Sequence, residues 1–402
     1  MALLRRYPLA STLAFLVLLG GLFPLPPLVD AVTGYAPGDA DLVRPMWYVI
    51  GAPVSSVLDA LTFLSLERAR WFLGTWAVVL AALGAKTAGT TQRRAVYALA
   101  GPAFLLVLAG ATVLLPRPVP ALVAADTVAT VLDYHAHTED SHDGRGGWTL
   151  QRLARWHARQ GFEASYVTDH NRVFEPGPVT PIPLLPGVEW SVHGQHVLAL
   201  GPVREIVRDS FSRTTERMVG VFREVDGQGA VAIAALPEYW RNHWDHVEDL
   251  ARAGAHGFEI VDCGPKALGF PSAYRAQIVR IAAARNLLLV GGSDNHGWGA
   301  VTCVWNLAAP SAAGPGDNRV LARSIALKQG DGAAWAAALT QPWLMFRALA
   351  WSERMSWLTW IVVVVLYRVI PRRAGDEGGI GILARSLKLR AMLRHGADRA
   401  RS

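Results

Sequence analysis

The chain has 402 residues, room for about two or three domains, and carries 39 Lys and Arg against 32 Asp and Glu, a net charge of +7. Residues 371–402 alone hold eight basic side chains against three acidic ones. The surplus is therefore a tail behind an apolar segment, suited to a membrane surface, and nucleic acid is not expected as a partner. Two cysteines, Cys263 and Cys303, are too few for a disulfide framework or a zinc finger. They read as two small core residues, or as a single disulfide if their domain faces an oxidising compartment.

In chain order, residues 1–117 predict an N-terminal transmembrane region. Arg5 and Arg6 precede an apolar run at 9–29, read as a first membrane helix because no small-x-small cleavage site closely follows it. Residues 71–85 and 95–115 are further candidates, the first of them short for a core of about 30 Å. Residues 45–66 are also apolar, but Pro53 and Asp59 interrupt them. If that segment stays on one side, the region has about three spans. Arg5, Arg6, the 86–94 loop and the basic tail then all lie in the cytoplasm, as positive charge prefers, and the middle of the chain lies outside it. If 45–66 crosses, there are four spans and the middle is cytoplasmic. The first arrangement is preferred: an integral membrane protein with an extracytoplasmic catalytic domain.

Residues 126–341 alternate short apolar runs with helix-like stretches. Strands are predicted at 130–133, 164–168, 182–188, 197–200, 231–234, 258–261 and 287–290, with a helix at 149–160. Such alternation predicts an α/β fold, a parallel sheet or barrel, whose chemistry gathers at the carboxyl ends of the strands. Residues 310–317 read as a linker loop. Residues 351–371 predict a C-terminal transmembrane helix with Glu353 and Arg354 near the interface. Residues 372–402 form the basic tail, within which 380–393 reads as an amphipathic or a disordered segment.

Eleven of the twelve histidines fall between His135 and His296, which points to one chemical centre. His135 and His137, two apart at a strand end, face one side together and make a ready pair of metal ligands. The stretch Ser141-His142-Asp143-Gly144 follows. Thr168-Asp169-His170-Asn171, Pro186-Gly187-Val188-Glu189 with His196, and Ser293-Asp294-Asn295-His296 come after further apolar runs. His157, His193, His256 and His395 read as structural.

This ordered set resembles the polymerase and histidinol phosphatase (PHP) domain family over residues 131–298. The resemblance implies a distorted (β/α)7 barrel, flanked here by transmembrane helices, with two or three divalent transition-metal ions and phosphoesterase activity. By position it implies a first metal on His135, His137, Glu189 and Asp294, and a second bridged by Glu189 and held by His196. A third would take His170, His296 and either Asp143 or His142, with Asp143 preferred. Glu189 and Asp294 would be the catalytic carboxylates. One position departs: the family's His-Pro is Leu236-Pro237 here, so either His243 or His246 from the following loop fills the second site, or only two ions bind firmly.

Imidazole with carboxylate suits Mn, Zn or Fe better than Ca or Mg, and paired ions suit hydrolysis of a phosphomonoester or phosphodiester. Arg145, Arg172, Arg241 and Lys266 are candidates to meet a phosphate. The expected partners are the membrane and a phosphorylated small-molecule or lipid-associated substrate. The competing readings are a metal hydrolase of C–N bonds and a membrane-anchored metal-binding sensor without turnover.

Overall fold

The computed structural model describes residues 6–87, 89–125, 129–175, 177, 181–192, 194–211, 217–243, 247–309 and 318–369, with only the backbone at Thr87, Arg217, Asn242 and His243. The tail and its 380–393 segment, the 310–317 loop, His193, His246, His395 and the side chain of His243 lie outside the described residues. Contacts divide the chain into two units, residues 1–14 with 358–402, and residues 15–357. The second carries the sheets and the site.

Its strands are β1 (Leu28–Asp30), β2 (Ala40–Val43), β3 (Ala121–Ala124), β4 (Thr130–Asp133), β5 (Ala164–Val167), β6 (Leu184–Val192), β7 (Gln195–Leu200), β8 (Val231–Ala235), β9 (Gly257–Asp262), β10 (Leu288–Gly292), β11 (Val304–Ala308) and β12 (Asn318–Arg323). Strands β2 and β3 pair separately, and the others form one sheet in the order β1-β12-β11-β4-β5-β6-β7-β8-β9-β10. The fold is mixed α/β with a curled, half-barrel sheet, compatible with the expected barrel.

The expectation of a parallel sheet fails at β7, which is antiparallel to both β6 and β8. The cause is local. Only residues 193 and 194 separate β6 from β7, with Gly194 at φ +82, and so short a connection makes a hairpin, never a parallel crossover. The reversal has a consequence for the site. His196, near the start of β7, reaches the same end of the sheet as the carboxyl ends of the parallel strands.

The β10 margin of the curled sheet comes round to β4 at that end. Ala136 bridges Asn295, and the Asp294 amide donates to the His135 carbonyl at 2.9 Å. Lower down, the Asn306 amide donates to the carbonyls of Leu132 (2.9 Å) and Gly291 (2.7 Å) and accepts from the Gly291 amide (2.8 Å). A buried asparagine thus ties β10 to β4 where no backbone ladder does, and satisfies its own polar atoms. A Cβ at Gly291 would meet Val304 at 2.4 Å, which is why glycine stands there.

Leu132, Tyr134, Leu198, Ile233 and Val290 belong to one core cluster. A second holds Val131, Leu153, Phe162, Val167 and Trp305, with Leu153 contributed by the Leu150–Arg159 helix. Each large side chain so buried contributes about 1.5–3 kcal/mol. The same helix buries Leu153, Ala154 and His157 and turns Arg152, Arg155 and Arg159 outward.

The apolar segments differ from expectation in detail. The first helix is Pro8–Leu22, ended by the Pro24, Pro26 and Pro27 cluster, which lacks amide donors; residues 28–30 are strand β1. Residues 45–66 break into Met46–Ile50 and Ala52–Thr62, with Asp59 buried and held by Tyr48 and Arg117 at 2.8 and 2.9 Å. Among the described residues, Thr91–Leu114 is the one helix long and apolar enough to cross a membrane; the segments 334–348 and 351–369 pass that test only when joined across a break. Glu353 and Arg354, expected near an interface, are buried within the protein. Glu353 pairs with Arg44 at 2.9 Å, and Arg354 donates to the carbonyls of Val17 and Arg347. Cys263 and Cys303 form a disulfide, so the reading as two independent core residues is replaced by the alternative.

Candidate metal centre

Four of the predicted ligands, His135, His137, His170 and His196, converge on Glu189. This carboxylate lies within β6, not after it, because pairing with β7 carries the strand on to Val192. Its Oε2 is 3.2 Å from His135 Nε2, 3.4 Å from His137 Nε2 and 3.1 Å from His170 Nδ1, and its Oε1 is 2.5 Å from His196 Nδ1. Asp294 Oδ1 lies 3.6, 3.3 and 3.4 Å from nitrogens of His135, His137 and His296. Asp143 reaches His296 at 3.0 Å and His170 at 3.6 Å. His142 is largely exposed, its ring 4.8 Å from that of His170, so the geometry favours Asp143 of the two.

Backbone and neighbours hold these groups in place. Thr138 donates its amide and hydroxyl to Asp169 at 2.6 and 2.7 Å, fixing the turn after His137. Asp294 is at φ +45 and Asn171, beside His170, at φ +57, the sparsely populated region in which strain collects at functional sites. Asp133 takes the amides of His135 and Ser293 on one oxygen (3.2 and 3.0 Å) and the His157 ring on the other at 2.7 Å. His157 is therefore structural, as expected, bracing the two chain segments that bear His135 and Asp294.

The donor set fits a cation. His137 is fully buried, yet neither ring nitrogen has a hydrogen-bond partner, and the same holds for His170 Nδ1, His296 Nε2 and Glu259 Oε2. Several of these atoms lie near carboxylate oxygens without the alignment of a hydrogen bond. Buried polar atoms are seldom left so, and lone pairs converging in this manner suit a metal ion. The groupings able to hold one include His135–His137–Asp294, His170–Glu189–His196, His137–His170–His296 and His135–Glu259–Asp262.

The charges bind these groups to one another. Burial would raise Glu189, but His135 and His196 hold it well below the usual carboxylate range. Burial opposes ionisation of His135 as well, yet Glu189 and Glu259 raise it well above its ordinary value. His137, buried and next to His296, is pushed down to about 3 and stands neutral, the form that ligates.

Sequence reasoning missed Glu259, Asp262 and Glu238. Glu259 is fully buried on β9 and bonds His135 Nδ1 at 3.0 Å; burial raises it to about 7. Burial, then Asp294 and Glu259, raise Asp262 well above the ordinary range. A signal existed, since a glutamate inside the apolar run 258–261 is costly without a partner. Leu236 is buried and offers no lone pair, while Glu238, two residues on, lies 3.9 Å from His196 and pairs with Lys266 at 2.7 Å. Of the predicted phosphate contacts, Arg172 and Arg241 pair with the surface carboxylates Asp140 and Glu67. Arg145 stacks on Trp298, and Lys266 reaches the His196 side through Glu238.

Fold and site together define a mixed α/β protein with a buried histidine–carboxylate centre at one end of its sheet. No protein-family model and no curated protein matches the chain. Solved structures to which it is similar include a protein from Bifidobacterium adolescentis provisionally described as a metal-dependent phosphoesterase (17% identity, 49% of this chain and 94% of that one, TM-score 0.32). PsfC from Pseudomonas syringae is another (16%, 50% and 94%, TM-score 0.36). An amidohydrolase from Chromobacterium violaceum is a third (17%, 41% and 87%, TM-score 0.30). At such identities and scores, the chemistry rests on the site itself.

Proposed function

We propose that the chain is a membrane-anchored, metal-dependent phosphoesterase on a distorted (β/α)7 barrel, hydrolysing a phosphomonoester or phosphodiester at a site for two or three Mn, Zn or Fe ions. The observation that carries this reading is the convergence of four imidazoles, from His135, His137, His170 and His196, on the one carboxylate of Glu189. His135, His137 and Asp294 would hold one ion, and Glu189 would bridge it to a second at His196. Asp143, His170 and His296 would hold a third. When bound, such ions supply an acidified water and a clamp on the oxygens of the transferring phosphoryl group. Glu259 fixes the ring of His135 through Nδ1, as a carboxylate behind a ligating histidine does. Lys266, exposed and paired with Glu238 beside His196, offers a positive charge to an anionic ester.

The test is a panel of a phosphomonoester, a phosphodiester and an amide, assayed on purified protein with added manganese or zinc. Ester hydrolysis abolished by chelator and restored by metal is expected. Amide hydrolysis alone would make it a C–N hydrolase, and retained metal without turnover a sensor.

Glu238 takes the place of the absent histidine in this scheme. Changing Glu238 to Gln weakens the most loosely held ion about ten- to hundredfold in a calorimetric metal titration, and Leu236→His in that background restores it. Titrations unmoved by both changes would remove Glu238 from the site. The Cys263–Cys303 disulfide favours an oxidising compartment and with it the extracytoplasmic placement. A reporter fused after residue 115 that is active only in the cytoplasm would reverse that placement.

A further inference from the structure

Beside the metal centre lies a second, chemically different cavity of about 450 Å³. Arg117, Arg145, Arg152, Arg155 and Arg159 line it, and among the described residues no acidic one does. Arg117 is neutralised by Asp59 at 2.9 Å. Arg152 donates to the Gly147 carbonyl, and Arg145 is committed to Gly297 and the Trp298 ring. Arg155 and Arg159, exposed on one stripe of the Leu150–Arg159 helix, pair with no described residue. Guanidinium groups gathered without counter-charge repel one another, and a cluster of this kind is the usual means of holding phosphate.

The apolar part of the lining says which phosphate. It is formed by Val113, Leu114 and Leu115, the end of the one described helix long and apolar enough to cross a membrane. Trp148 and Trp156 belong to the lining as well, and tryptophan favours the level of lipid headgroups. Arginines, indoles and the end of an apolar helix thus meet where a bilayer surface would lie. Gly297 also lines the cavity, next to the metal-facing His296.

We infer that this cavity binds the phosphate headgroup of an anionic lipid at the membrane surface, next to the metal centre and separate from it. The inference rests on Thr91–Leu114 being a membrane span, and does not require the hydrolytic reading. The full chain in detergent is titrated with short-chain phosphatidic acid, with phosphatidylcholine of equal chain length and with inorganic phosphate. Phosphatidic acid binds most tightly, and R155Q/R159Q weakens it about 30-fold, from roughly 1 kcal/mol for each basic side chain at an anionic surface. The same variant leaves metal content and hydrolysis of a small soluble ester unchanged, and R223Q/R252Q, on a remote exposed surface, leaves lipid binding unchanged. Equal binding of phosphatidylcholine, or a loss equally large in R223Q/R252Q, would overturn the assignment. So would inorganic phosphate binding as tightly as the lipid and with the same dependence on Arg155 and Arg159. Extraction of the chain from membranes by carbonate would instead show that the span itself is misread.

Discussion

Glu189→Gln is expected to lower ester turnover by about 10³-fold or more, while the protein keeps its fold. The substitution keeps the size and shape of a side chain that is almost wholly buried but removes the charge on which four histidines converge. Loss of a bridging carboxylate loosens one ion and misplaces its neighbour. A deficit of roughly 4 kcal/mol in transition-state stabilisation is about three decades in rate. Asp294→Asn should act similarly, and is a cleaner change than alanine because asparagine tolerates the positive φ of +45 at that position. Circular dichroism and the denaturation midpoint separate a lost ligand from a lost fold. Turnover within tenfold of the parent would show that Glu189 does not hold the centre.

The second large effect is on stability. The Cys263–Cys303 bridge closes a loop of 40 residues that contains β10 and the turn bearing Asp294 and His296. By the chain-entropy estimate a loop of that length contributes about 4 kcal/mol, a large share of the roughly 5–15 kcal/mol typical of a domain. The double variant C263S/C303S is expected to lower the denaturant midpoint accordingly, and reduction of the parent protein should reproduce the shift. Metal affinity should fall with it, since two predicted ligands lie inside the loop. A midpoint unchanged by both treatments would mean that the bridge is not formed in solution.

Much of the site was legible because its residues follow apolar runs at strand ends. His135 with His137, His170, Glu189, and Asp294 with His296 stood out by chemistry and order, and the structure brings them together. Glu259 was hidden because a single carboxylate inside a short apolar run reads as a strand with one polar position. Only the fold reveals that it stands behind His135. The direction of β7 turned on two connecting residues, one of them a glycine at positive φ, and a list of strands carries no direction. Strands β11 and β12 were missed because their cohesion comes from pairing across the sheet and from the amide of Asn306, which no local pattern announces. The partnership of the cysteines depended on distance in space. The first helix stops at Leu22 because the prolines beyond it end a pattern that hydropathy alone would carry on.

The most direct test of the central claim, that these side chains form a transition-metal centre, is elemental analysis of the full chain purified without chelator. About two to three equivalents of manganese, zinc or iron per chain are expected, in keeping with sites built of imidazole and carboxylate, with clear loss in Glu189→Gln. Protein that is folded and carries none of these metals would contradict it.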